Sequence, residues 1–74
     1  PFLTVSYSLP SETTVSISIY NMLGERVSTL INELYLTSGF HRVSWDASAF
    51  PSGMYFVKIQ TPTIIETKKA LLLK

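Results

Sequence analysis

Alternation of apolar and polar residues is the feature that most narrows the folds open to this chain. Val15, Ile17 and Ile19 are separated by single polar residues, and a period of two places the two sets of side chains on opposite faces of a β-strand. The same alternation recurs over residues 3–9, 43–45 and 54–60. Short strands separated by turns predict an all-β fold, a small sandwich of about six or seven antiparallel strands.

Residues typical of turns lie between these strands. Asn21 and Gly24 fit the first and fourth positions of a tight turn, where the Asn side chain bonds back to the backbone and Gly adopts a positive φ. This spacing predicts a hairpin after residue 20. Gly39 follows a serine, and Gly53 follows Pro51 and Ser52, so we also assign these two glycines to turns.

The pattern is ambiguous between residues 26 and 32. Val27, Leu30 and Ile31 fit the spacing of an amphipathic helix as well as that of a strand. We predict a strand, because a single short helix among so many short strands would be the exception.

The carboxyl-terminal segment, residues 64–74, has apolar residues on both of its faces. Such a strand must be covered on both sides or exposed for something to bind. Its lysines, Lys68, Lys69 and Lys74, allow two interpretations. In the first, they are gatekeepers that prevent an apolar edge strand from aggregating. In the second, they flank an apolar segment that a partner recognises by strand addition and by charge. The strand at residues 54–60 also has a second, partly apolar face, which includes Met54 and Phe56.

Composition excludes several classes of function. The chain has 74 residues, no cysteine and a formal net charge of +1, so we expect one domain without disulfides or thiolate metal sites and with no affinity for nucleic acid. No apolar run is long enough for a transmembrane segment. For such a chain, burial of apolar surface favours folding by about 110 kcal/mol, and the conformational entropy lost on ordering opposes folding by about 110 kcal/mol. Because they nearly cancel, we expect a dependent module, attached to a larger protein or stabilised by a partner.

The sequence supplies no constellation for catalysis or cofactor binding. A hydrolytic triad would need His41 beside Asp46, the only histidine and the only aspartate, but five residues apart on one strand they point to opposite faces. We expect His41 to be a half-buried aromatic group and Asp46 to bond backbone N–H groups of the following loop. The carboxylates are scattered singly, which leaves at most a weak calcium site near Asp46. We therefore predict no enzyme activity and no cofactor.

Taken in order, the segments of the chain resemble the type A C-terminal sorting domain of the bacterial type IX secretion system. The ordered set of segments carries the resemblance, and it includes Ile-Tyr-Asn at residues 19–21, Trp-Asp at residues 45–46 and, at its end, Lys-Lys-apolar-Lys at residues 68–74. The resemblance covers residues 1–2, 5–10, 15–27, 30–32, 39–47, 52–56 and 67–74. The strand motifs are also similar to the immunoglobulin-like domain of flagellar hook-capping proteins, a relative that does not imply the basic-apolar end.

The resemblance implies one immunoglobulin-like sandwich over residues 1–74, at the carboxyl end of a larger exported precursor. Such a domain directs its cargo through an outer-membrane translocon, and a sortase-like protease usually removes it, so that the cargo is secreted or held at the cell surface. Partner recognition would use Lys68, Lys69, Leu71, Leu72, Leu73 and Lys74. The turns and core that define the fold would be Gly24, Gly39, Trp45, Asp46, Gly53 and Tyr55.

A second hypothesis is structural. A small β-domain with an apolar last strand could donate that strand to its neighbour and form a homo-oligomer or an extracellular filament. The nearly cancelling stability terms and the apolar tail motivate this alternative.

Overall fold

The computed structural model describes all residues from 1 to 74 and contains six β-strands. They are β1 (Phe2–Leu9), β2 (Thr13–Tyr20), β3 (Arg26–Leu36), β4 (Gly39–Asp46), β5 (Gly53–Gln60) and β6 (Ile65–Leu72). All pairings are antiparallel, with β1 and β4 in one sheet and β3-β2-β5-β6 in the other. The predicted all-β fold is confirmed. The structure holds no helix that is long and apolar enough to cross a membrane.

The two sheets enclose a single apolar core. Its centre lies on β2, where Val15, Ile17 and Ile19 are completely shielded from solvent. Because side chains alternate along a strand, the intervening positions of β2 face the other side of the sheet. The other core residues come from β1, β4, β5, β6 and the loop after β4, and they are Val5, Tyr7, Leu9, Trp45, Ala47, Tyr55, Val57, Ile59 and Leu72.

The hairpin between β2 and β3 closes on the predicted turn. The Asn21 carboxamide oxygen accepts hydrogen bonds from the backbone N–H groups of Leu23 and Glu25, at 2.9 and 3.0 Å. The N–H of Gly24 donates to the Asn21 carbonyl at 3.1 Å. Gly24 has a φ of +81°, a conformation that glycine adopts without the steric cost that a Cβ brings. The hairpin prediction is confirmed.

The ambiguous segment forms part of β3, so the prediction of a strand is confirmed. Its spacing looks helical because the eleven residues of β3 pair with the eight residues of β2, and the register shifts at three places. An extra residue in a strand moves the following side chains to the opposite face. At one bulge Glu33 has a φ of +50°, and its N–H donates to the Ser16 hydroxyl at 3.0 Å.

Replacing Gly24 by alanine should lower the free energy of unfolding by about 1 kcal/mol, because a residue with a Cβ is strained at positive φ. No atom lies within 4 Å of the Cβ that alanine would add, so the cost would come from the backbone alone. Gly24→Asn should cost less, since asparagine tolerates this region. Urea denaturation of the three chains measures both effects, and equal stability of Gly24→Ala and the parent would contradict the strain argument.

Candidate functional site: the β6 edge and the carboxyl terminus

β6 is an edge of the four-stranded sheet and has β5 as its only neighbour. The N–H of Thr61 donates to the carbonyl of Ile64 at 2.8 Å, which sets the alternation of hydrogen-bonded pairs along the two strands. In the observed register, even-numbered β6 residues direct their main chain toward β5. The main-chain groups that remain open at the outer edge belong to Ile65, Thr67, Lys69 and Leu71.

Leu71 at the end of β6 and Leu73 just after it form an apolar strip on the outer face of the sheet, beyond the outward-facing Thr67 and Lys69. Leu71 and Leu73 are 57% and 74% exposed. Leu71 lies opposite Met54 on β5, and the next outward-facing β5 residue is Phe56, which is half-buried. Met54 and Phe56 therefore extend the strip beyond the predicted recognition residues. The second apolar face of residues 54–60 was the signal in the sequence that pointed to them.

Leu72 differs from its two neighbours. Its side chain is only 6% exposed and belongs to the core, because it points to the inner face of the sheet. It lies opposite Gly53 in the β5–β6 register. Among the six residues predicted to be read by a partner, Leu72 alone has a buried side chain.

The three tail lysines occupy different environments. The ammonium of Lys68 lies 3.7 Å from the Glu66 carboxylate and donates to the carbonyl of Ser6 at 3.3 Å. Lys74 is tied to the loop between β4 and β5, since its Nζ donates to the Ser48 carbonyl at 2.7 Å and its N–H to the Ser52 hydroxyl at 3.0 Å. No hydrogen bond or ion pair engages the Lys69 ammonium, so its charge faces solvent.

An aromatic cluster organises the loop to which Lys74 binds. The Trp45 ring centroid lies 5.1 Å from that of Phe50 and 5.2 Å from that of Tyr55, the latter edge-to-face. The Tyr55 hydroxyl donates to the carbonyl of Pro51 at 2.7 Å. Trp45 and Tyr55 lie on opposite sheets and are buried, while the Trp45 indole N–H has no hydrogen-bond partner. Their contact joins the two sheets directly beneath the loop that holds the carboxyl terminus.

Asp46 stabilises the first turn of the loop between β4 and β5. Its carboxylate accepts hydrogen bonds from the Ser48 hydroxyl at 2.8 Å and from the Ser48 N–H at 3.1 Å. These two bonds hold the pKa of Asp46 below its ordinary value. The expectation that Asp46 would bond to the following loop is confirmed.

His41 lies on the sheet formed by β1 and β4, away from this loop. Its ring stacks on Tyr7 with a centroid separation of 5.6 Å, and its Nε2 lies 2.7 Å from the carbonyl of Thr37. Burial raises the pKa of the Tyr7 phenol. His41 is half-buried, as predicted, and it shares no contact with Asp46. No group of three or more histidine, cysteine or carboxylate side chains is arranged to hold a metal ion.

Removing the Ser48 hydroxyl should raise the pKa of Asp46. Because the folded-state pKa lies below that of the unfolded chain, the stabilisation is complete above the unfolded-state pKa and is lost as the pH falls through the folded-state pKa. Ser48→Ala should therefore be less stable than the parent at neutral pH and equally stable in strong acid. NMR titration of Asp46 and denaturation at both pH values test this. Ser44→Ala, which changes an exposed serine on β4, is the control. A stability difference between Ser48→Ala and the parent that persists in strong acid would contradict the claim that the Ser48 hydroxyl stabilises the fold through ionised Asp46.

Comparison with known proteins identifies one family. A family model described as a secretion system C-terminal sorting domain matches residues 2–73. The match begins at the first residue of β1 and extends past the end of β6, so it includes the aromatic cluster, the loop and the apolar strip. No curated protein and no solved structure matches the chain.

Proposed function

Because the chain belongs to the secretion system C-terminal sorting domain family, we propose that it is a non-catalytic module at the carboxyl end of a larger precursor, read by the export machinery through β6. The resemblance to type IX sorting domains is confirmed by this membership. A tail of this type marks its protein for export through the outer membrane, to the cell surface or the medium.

The open edge of β6 is the observation that carries the proposal. Strand addition uses main-chain hydrogen bonds for affinity and alternate side chains for specificity. The outer edge offers main-chain groups of alternate residues, and the exposed Leu71 and Leu73 provide the apolar contact. The solvent-facing ammonium of Lys69 adds a charge that favours an acidic surface on the partner.

The partners that fit this role are the outer-membrane translocon and a sortase-like protease that removes the domain afterwards. Lys74 contributes indirectly, since its bonds to Ser48 and Ser52 hold the last residues against the body of the sandwich. The end of the chain is thereby presented as a defined surface. A partner loses less conformational entropy when it binds a surface that is already ordered.

Self-assembly into a filament is not supported. Family membership indicates a sorting role and not a structural one. Two β6 edges brought together antiparallel would also place Lys68 and Lys69 of each copy near one another, and like charges across a strand pair are destabilising.

The exposed leucines at the end of β6 and just after it provide the test. We expect a reporter fused to the chain, with Leu71→Ser and Leu73→Ser, to accumulate in the periplasm of a host with the type IX system, because the partner loses its apolar contact. The matched control is Leu34→Ser, which changes a leucine that is 52% exposed on β3, at the opposite edge of the same sheet. The control fusion should be exported normally. Normal export of the double variant would refute the proposed role of β6.

Variants at Leu72 and at its two neighbours distinguish an effect on folding from an effect on recognition. Leu72→Ala should lower the free energy of unfolding by about 2–5 kcal/mol, because it leaves a cavity in the core. Leu71→Ala and Leu73→Ala should each change it by less than about 0.5 kcal/mol, since both side chains are exposed. Chemical denaturation measures all three. A truncation that removes Leu72 would lose the fold together with the recognition surface, so point variants are needed in the export experiment.

A further inference from the structure

The sandwich has four open strand edges. Bulges discourage strand addition at one of them, and charged side chains restrict the partners that can pair with two others. β3 is broken by three bulges, β4 carries Arg42 and Asp46, and β6 carries two lysines and a glutamate. β1 has none of these features. It contains no charged residue and no proline, and it pairs with β4 over eight residues without a register shift.

The free main-chain groups of β1 can be identified from its register. The N–H of Ala47 donates to the carbonyl of Pro1 at 2.9 Å, and residues of β1 alternate between pairing with β4 and pointing away from it. Odd-numbered residues of β1 therefore direct their main-chain N–H and carbonyl groups toward β4. The N–H and carbonyl groups of Thr4, Ser6 and Ser8 face the open edge.

One group from another strand occupies this edge. Lys68 of β6 reaches across the gap between the sheets and donates to the outward-facing carbonyl of Ser6 at 3.3 Å. Two grooves, of about 180 and 280 Å³, lie along the gap, and Lys68 borders both of them. The floor of the gap includes Val57 and Ala70. The space beside β1 is thus open, apolar at its base and crossed by a single ammonium group.

We propose that the outer edge of β1 is a second recognition site, at which a partner protein adds a strand. Lys68 blocks this edge while its ammonium is bonded to Ser6, and an acidic side chain of the partner replaces Ser6 as the ammonium's partner when the strand binds. The partner segment is extended, with apolar residues at alternate positions facing Val57 and Ala70. An acidic residue at the centre suits the groove, because the Lys68 ammonium is held there only by the Ser6 carbonyl at 3.3 Å and by an exposed pair with Glu66 at 3.7 Å.

The same charges argue against a second copy of the chain as the occupant. Two β1 edges paired with each other would bring two copies of Lys68 to one seam, where neither could find an acidic partner other than its own Glu66. Since β1 itself has no charge, a second copy offers nothing to replace the bond to Ser6. The main-chain groups that pair with the partner belong to β1, so the inference does not depend on the proposed export role, although Lys68 lies on β6.

Binding of a synthetic peptide tests the site. The probe is eight residues long, the length of β1, alternates valine with threonine and has one central glutamate. A matched peptide carries glutamine at that position. We expect the glutamate peptide to bind the full chain roughly two- to fivefold more tightly, the range for a partly exposed ion pair. Hydrogen exchange should slow at Thr4, Ser6 and Ser8. In Lys68→Gln the two peptides should bind equally.

Two proline variants locate the binding edge. Ser6→Pro removes an outward-facing N–H from β1, and Ser44→Pro makes the equivalent change on the open edge of β4, with circular dichroism reporting the fold of each. Ser6→Pro should abolish binding, and Ser44→Pro should retain it. Absence of binding to the parent chain, equal binding of the two peptides to it, or undiminished binding to folded Ser6→Pro would overturn the proposal. If Ser6→Pro does not fold, the peptide comparison on the parent and Lys68→Gln decides alone.

Discussion

Burial of the apolar face of β2 is the interaction on which the rest of the structure depends. Val15, Ile17 and Ile19 are fully shielded, and β2 pairs with β3 on one side and β5 on the other. The sheet that covers this face has only two strands, against four in the sheet it covers. A chain of this size can therefore shield the central strands well, while the outer strands stay partly open.

The open edges are the surfaces through which we propose that the molecule is recognised. Its charged groups are scattered, and none is arranged for metal binding, whereas main-chain groups and apolar side chains are available along β6 and β1. Strand pairing needs a partner of the right shape and alternation more than a reactive group. The sorting function of the family agrees with a molecule whose distinguishing chemistry lies at its strand edges.

The carboxyl terminus owes its position to contacts that are distant in sequence. Trp45 and Tyr55 join the two sheets, and Asp46 fastens the loop between them through Ser48. That loop then binds Lys74 through its backbone and through Ser52. Trp45, Asp46, Gly53 and Tyr55 thus lie at the same end of the sandwich as Leu72 and Lys74, whereas Gly39 lies at the other end, opposite Leu9.

Local patterns in the sequence determined the strands, the faces of β1, β2 and β5, and the hairpin at Gly24, because alternation and turn chemistry act between near neighbours. They also indicated the apolar, lysine-flanked tail. Only the tertiary structure decided that Leu72 enters the core while Leu71 and Leu73 face solvent, since both faces of that segment are apolar. The bulges of β3 depend on its register with β2, and the bond from Lys68 to Ser6 depends on how the two sheets are stacked. Such contacts join residues far apart in the chain, so no local pattern carries them.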